Sequence, residues 1–194
     1  MHDIEPHYGW RDIYVASEDK QSTFHGTQHS EFTFTKKVYN YYIHPQWDEM
    51  GSSTLYLKLL FVEYDDQYAI IELIGEWNDC LHNDIMHLKR NVIDHLIDSG
   101  IKKFILICEN VLNFHASDDS YYEEWWEDIA DEGGFICILN TLDHVYKEMQ
   151  QARLQFYAKL GAYYQEESWR TKKPRLLIEK IEKMIHEEPK QIAY

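Results

Sequence analysis

From residue 55 onward the chain alternates short apolar runs with stretches of helical periodicity. In "LYLKLLF", Leu55, Leu57, Leu59 and Phe61 share one side of a period-two pattern, which predicts a strand. A turn at Asp65, Asp66 and Gln67 leads into residues 69–74 (AIIELI), nearly continuous in apolar side chains, as expected of a central strand covered on both faces. Leu81, Ile85, Leu88, Val92 and Leu96 then recur at helical spacing. Asn78 or Asp79 stands where an N-cap is wanted and Gly100 where a C-cap is wanted, so one helix is predicted. Residues 104–108 (FILIC) are too few for a helix and read as a strand. Upstream, residues 31–43 are rich in aromatic residues and Thr with partial alternation, which predicts a strand or bent strand.

The stretch "NFHASDDSYYEEWWEDIADEGGF" comes next. Ser120 and Glu123 have the spacing of a capping box, so a helix is expected from Ser120. Tyr122, Trp125, Trp126 and Ile129 would form its apolar side. Glu123, Glu124, Glu127, Asp128 and Asp131 would face water. Gly133 and Gly134 end it, residues 135–139 read as a strand, and a helix is expected over residues 142–163. A last helix opens at Pro174, with Leu177, Ile181 and Ile185 on one side. Strands beside crossover helices describe an α/β protein with a mixed β-sheet and helices packed on it. It carries an N-terminal β and aromatic extension and C-terminal helices. The expected divisions are residues 1–53 as an extension packing on the core, 54–165 as the core and 166–194 as a helical extension, one globular domain in all.

Charge sharpens this picture when divided by position. Residues 1–146 hold nine Lys or Arg against 27 Asp or Glu, a net of −18, and residues 147–194 hold ten against seven, a net of +3, which together make the −15 of the whole chain. Between Lys103 and Lys147 there are ten acids and no base. Such a surface repels phosphate backbones and anionic membranes, so neither nucleic acid nor membrane is expected as a partner. The basic stretch at residues 169–175 reads as a solvated helix entry or a partner for the chain's own acids. No apolar run approaches a membrane span, and the first residues lack the basic and apolar regions of a signal peptide, so a cytoplasmic location is expected. Cys80, Cys108 and Cys137 have no CxxC spacing and suggest neither a disulfide framework nor a zinc site; all three are expected to be buried thiols.

The order of elements resembles the STAS family, named for sulfate transporters and anti-sigma-factor antagonists. The residues that carry the likeness are 70–75 (IIELIG), 104–111 (FILICENV), 116–119 (ASDD) and 135–140 (FICILN), within a match from about residue 54 to about residue 146. In that family a strand ending in Gly and an acid opens the first helix, and an Asp-Ser-Ser-Gly loop precedes the second. The resemblance implies phosphorylation of a Ser in that loop, and Ser117 falls on one of its two serines. Here Ala116 or His115 stands in place of the Asp, and Asp118 or Asp119 in place of the Gly. The acids could mimic a permanently charged loop, since negative charge suits a helix N-terminus. Equally, Ser117, Asp118, Asp119 and Ser120 read as competing helix caps.

Other chemistry can be drawn from the same residues. His115 with Asp118 and Asp119 could serve a metal-dependent or hydrolytic enzyme, although no G-x-S-x-G elbow is present. Metal-ligating types also gather at His2, Asp3, Glu5 and His7, at Asp79, His82, Asp84 and His87, and at His25 with His29, but none has H-E-x-x-H spacing. His82 and His87 are five residues apart, about 140° around a helix. No Gly-rich phosphate loop occurs, and no cofactor or metal is expected. The aromatic residues His7, Tyr8, Trp10, Tyr39, Tyr41, Tyr42 and Trp47 either extend the core or form a homo-oligomer or partner contact.

The reading that follows is a non-catalytic cytoplasmic regulatory or protein-protein interaction domain. It would dock a protein through Asp118, Asp119, Glu123, Glu124, Glu127 and Asp128, with Ser117 and Ser120 as regulatory or phosphorylation positions. The alternative is the enzyme using His115, Asp118 and Asp119.

Overall fold

The computed structural model describes residues 3–166 and 168–188. A two-stranded ribbon, β1 (Lys37–Val38) and β2 (Tyr41–Tyr42), precedes a four-stranded sheet of β3 (Leu55–Glu63), β4 (Tyr68–Asn78), β5 (Lys103–His115) and β6 (Phe135–Leu139), ordered β3-β4-β5-β6. β3 and β4 are antiparallel, while β4–β5 and β5–β6 are parallel. Helical turns α1 (Asp79–His82), α2 (Asp84–Leu88) and α3 (Asp94–Asp98) cross from β4 to β5, and α4 (Ser120–Ala130) crosses from β5 to β6. α5 (Asp143–Gln151) and α6 (Pro174–Glu187) follow. This is the mixed-sheet α/β architecture expected from the sequence.

All of β4 is buried, as its unbroken apolar run requires. On one face Ile71, Leu73 and Leu106 pack with Leu88, Val92, Trp125, Ile129, Val145 and Met149 from the crossover helices and α5. On the other, Ile70, Ile105 and Leu139 pack with Trp10, Tyr164, Trp169, Leu177 and Ile181, so both ends of the chain cover the second face. Gly75 has φ of 118°, and a Cβ there would lie 2.1 Å from the Thr54 carbonyl, so no other residue fits where β4 meets the start of β3.

Several expected boundaries shift, each for a tertiary reason. The strand ending at Gly75 continues to Asn78, and the one ending at Cys108 continues to His115, because the two pair out to Asn78 opposite His115. The polar Asn113 is held there by its amide, which donates to Glu76 Oε1 at 3.0 Å. The helix over 79–98 is interrupted at Asn83, which adopts a left-handed conformation, and loosens to a π-turn at Lys89–Ile93. The expected cap at Asn78 is present, its side chain accepting from Leu81 N at 2.9 Å. Likewise α5 stops at Gln151 instead of running to residue 163. The chain there turns to pair Lys159 beside Cys137, with Ile138 N to Lys159 O and Lys159 N to Ile136 O both at 2.8 Å, which covers the open edge of β6. The strand expected over 31–43 shrinks to the short ribbon. Its turn places Tyr39 at φ 53° and its value lies in burying Val38, Ile43 and Trp47 against Tyr56 and Ile74.

One charged side chain lies in the middle of the central strand. Glu72 is fully buried and accepts the backbone N–H of His7 at 2.8 Å, with Arg170 at 3.4 Å. Burial raises its pKa from an ordinary 4.5 to about 7, against the opposing pull of the His7 N–H and of Arg170. A folded value above the unfolded one means that the folded state holds this proton more tightly. Its contribution is complete below the unfolded value, falls as pH rises through the interval up to about 7, and at higher pH amounts to a loss of about 3 kcal/mol. Glu72→Gln is therefore expected to be more stable than the native chain at pH 8, by about 1–3 kcal/mol, and close to it at pH 5. Urea unfolding at the two pH values measures this, and a variant less stable at pH 8 would mean that the Arg170 ion pair outweighs burial.

Candidate functional site

The C-terminal ends of β4 and β5 lie side by side, the position where open α/β sheets collect their functional groups. From β5 the chain passes through residues 116–119 into α4. Ser117 and Asp118 are exposed. Asp118 Oδ1 accepts the Ser120 N–H at 3.1 Å and also the Ser120 hydroxyl, and these bonds hold its carboxyl below the ordinary value. Asp119 occupies the N-cap position. Its carbonyl accepts the Glu123 N–H at 2.9 Å and its carboxylate the Tyr157 hydroxyl at 2.7 Å. The capping box expected at Ser120 and Glu123 is therefore displaced. Ser120 becomes the first helical residue, its N–H taken by the Asp118 carboxylate, while Asp119 at the N-cap position makes no side-chain bond to the helix entry.

Cys80 was expected to be buried and is instead exposed, its thiol donating to the Ala116 carbonyl at 2.8 Å, so it ties the start of α1 to this loop. Cys108 and Cys137 are buried as expected, and burial pushes both thiols up. Beneath the loop Asp79 is buried and accepts from Tyr122 Oη at 2.6 Å, Ile85 N at 2.8 Å and Trp77 Nε1 at 3.1 Å. Burial raises its pKa to about 6 against these donors. Asp84 accepts Asn78 N at 2.7 Å and the Thr54 hydroxyl at 3.0 Å. These two carboxylates thus brace the interrupted helix, while His82 faces Ser53, 3.3 Å away. His29 joins Asp48 at 2.5 Å, apart from the exposed His25. His2 lies outside the described residues.

Helix α4 divides its acids into two groups. Glu124 and Asp128 turn toward the π-turn. There the fully buried Lys89 Nζ lies 2.8 Å from Asp128 and 3.5 Å from Glu124 and is also hydrogen-bonded to Asp94. Arg90 grips Glu124 with both guanidinium nitrogens at 2.6 and 2.7 Å. Burial alone would lower the Lys89 pKa, but its bonds to Asp128 and Asp94 outweigh that and raise it. Asp94, Glu124 and Asp128 come close enough together to hold an ion among the described residues, and the Lys89 ammonium stands among them. Glu123 and Glu127 remain exposed. Trp126, expected on the inner side, is 41% exposed beside them, while Tyr122, Trp125 and Ile129 are buried. Trp126 follows Trp125 by about 100°, too far round to share its face. His115 is exposed, and the described bonds of Asp118 and Asp119 go to Ser120, Tyr157 and Glu123 and not to it.

Lys89 was not singled out from sequence, though with Arg90 it forms a pair of adjacent cations between the acids at 79, 84, 94 and 98. Tyr157, expected within a long helix, reaches Asp119 only because that helix ends early.

The fold is α/β, a mixed four-stranded sheet with helices packed on it, as the order of elements implied. No protein-family model and no curated protein matches the chain. Among solved structures it is similar to the anti-sigma factor antagonist SpoIIAA in its unphosphorylated form, at 14% identity over 66% of this chain and 96% of that one, with a TM-score of 0.48. It is also similar to an anti-sigma factor antagonist candidate from Thermotoga maritima, at 13% identity over 65% and 94% of the two chains, with a TM-score of 0.45. The Bacillus cell fate determinant SpoIIAA in its phosphorylated form gives 13%, 64%, 98% and 0.43.

Removing the buried ammonium would leave three carboxylates facing one another. Lys89→Met is expected to lose about 3–5 kcal/mol in urea unfolding. Glu127→Gln, on the open side of the same helix, is expected to stay within about 0.5 kcal/mol of the native chain.

Proposed function

We propose that this chain is a non-catalytic cytoplasmic regulatory domain that docks a protein partner through the loop at residues 116–119 and the outer face of α4. The observation that carries this reading is Trp126, 41% exposed between the exposed Glu123 and Glu127 on the helix that the loop feeds. A large aromatic ring held on a rigid helix and ringed by charge is the usual form of an interface anchor. The acids around it favour a partner surface rich in Lys and Arg. Glu124 and Asp128, engaged with Lys89 and Arg90, shape that face from its flank, and Asp118 and Asp119 hold the loop. Ser117 is the regulatory position: a phosphate there adds charge beside the N-terminus of α4 and next to Asp118. Ser120 is a weaker candidate, since its hydroxyl is bonded to Asp118. The exposed Tyr41 and Tyr42 would give a second contact, to a partner or to another copy of the chain.

Affinity capture from native lysate, followed by titration of the purified captured protein, tests this. The native chain is expected to lose at least tenfold in affinity in a Trp126→Ala, Glu123→Gln, Glu127→Gln variant whose unfolding midpoint is unchanged. Ser117→Asp is expected to shift the same affinity, and Ser117→Ala to leave it intact. Equal binding by the native chain and the α4 variant would sink the reading.

A further inference from the structure

A cavity of about 160 Å³ lies between the N-terminal segment and β3, lined among others by His7, Arg11, Tyr14, His29, Gln46 and Lys58. In a chain with 34 acids and 19 bases, it presents two cations and two imidazoles, and no carboxylate is among the described residues lining it, although Asp48 next to them is bonded to both His29 and Lys58. We propose that this cavity binds a small oxyanion, the phosphate or carboxylate group of a low-molecular-weight ligand.

Lys58 is the one charged residue inside the apolar run of β3, and it stands opposite Glu72 of β4. The two do not pair. Glu72 is taken by the His7 N–H and Arg170, whereas Lys58 Nζ reaches Asp48 at 3.1 Å and the Gln46 carbonyl at 2.9 Å. Asp48 thus balances Lys58, and Glu49, 3.4 Å from Lys36, balances the next cation. Arg11 has no ion pair among the described residues. Its one described side-chain hydrogen bond goes to the Gln46 side chain at 3.3 Å. Lys58 carries a lowered pKa, chiefly from burial, with Asp48 opposing and weaker repulsion from Arg11 and Lys36.

The second indication is His7. Its Nε2 is buried with no hydrogen-bond partner, and such an atom ordinarily has one. The ring is edge-on to Trp10 and Trp169, each 5.0 Å away, which fixes its orientation. Burial and Arg170 lower its pKa, so it stands as a neutral imidazole able to offer one N–H. A ligand oxygen reaching that nitrogen would give it a partner, and Arg11, without an ion pair among the described residues, supplies the planar fork that phosphate and carboxylate groups match. The volume is roughly ten times the ~15 Å³ that one water needs, room for a phosphate or a short carboxylic acid. The acidity of the remaining surface is screened over about 8 Å at physiological salt, so it does not forbid an anion inside a cationic recess.

Isothermal titration of the full chain with inorganic phosphate, and separately with malonate, at ionic strength matched with chloride, tests the site. Amide chemical shifts followed by NMR locate it. Saturable binding is expected, with shifts concentrated at residues 7–17, 29, 46 and 58–60, and at least fivefold weaker in Arg11→Gln, which removes no packing group. Phosphate alone binding would assign phosphate ligands, malonate alone carboxylate ligands, and both an oxyanion site of either kind. Lys58→Met is expected to abolish binding. Should that variant unfold because Asp48 loses its partner, Arg11→Gln decides. No saturable binding of either probe, or binding equal in Arg11→Gln, would overturn the proposal.

Discussion

The burial of β4 on both faces is the constraint around which the molecule is arranged. One face is covered chiefly by elements that follow the strand, the crossover helices and α5, with Ala16, Phe24 and Met50 joining from the N-terminal segment. The other cannot be covered by them and takes residues from both ends of the chain, Trp10 on one side and Trp169 with α6 on the other. Since β4 has no exposed position, its polar groups must be satisfied inside. Glu72 draws in the backbone of His7 and the side chain of Arg170, and Glu76 receives Tyr39 at 2.6 Å and Asn113 at 3.0 Å. The N-terminal segment, the C-terminal turn and the end of β5 are thereby bound to one strand. Distant stretches come together through the hydrogen-bonding needs of a few buried acids as well as through apolar area.

The excess of negative charge is managed by placement. Lys89 is buried where Asp94, Glu124 and Asp128 converge, and Arg90 closes the same group from the surface. The acidic residues of α4 therefore do two jobs. Those on the flank attach the helix to the π-turn, and those on the outer face, Glu123 and Glu127, frame Trp126. The N-terminal segment inverts the pattern. Around Arg11 and Lys58 the chain gathers cations and imidazoles in a recess, although its overall charge is strongly negative.

Much of the core was legible because its signals are local. The alternation of Leu55, Leu57, Leu59 and Phe61, the unbroken run into Ile74, the cap at Asn78 and the punctuation by Gly100, Gly133 and Pro174 all act within a few residues. Their consequences survive in the folded chain. The loop at residues 116–119 was legible for the same reason: short polar side chains before a helix compete for its free N–H groups, whatever else surrounds them. What could not be read was which oxygen would win. Asp118 takes the Ser120 N–H, whereas the carboxylate of Asp119 at the N-cap position goes to Tyr157, which arrives from a segment that looks helical by periodicity.

By itself, then, the sequence determined the order and kind of the sheet-forming elements, the acidic character of α4 and the position of its preceding loop, because hydrophobic period, capping and charge are properties of neighbouring residues. Tertiary structure alone decided the ends of the strands, the break at Asn83, the early stop of α5 and the sorting of the α4 acids. It also decided the exposure of Cys80 and the gathering of His7, Arg11 and Lys58 around one cavity. The strand ends, the stop of α5 and the sorting of the α4 acids depend on partners tens of residues away. Lys159 beside Cys137 and Lys89 beneath Asp128 are set by pairing and burial energies that no local window contains.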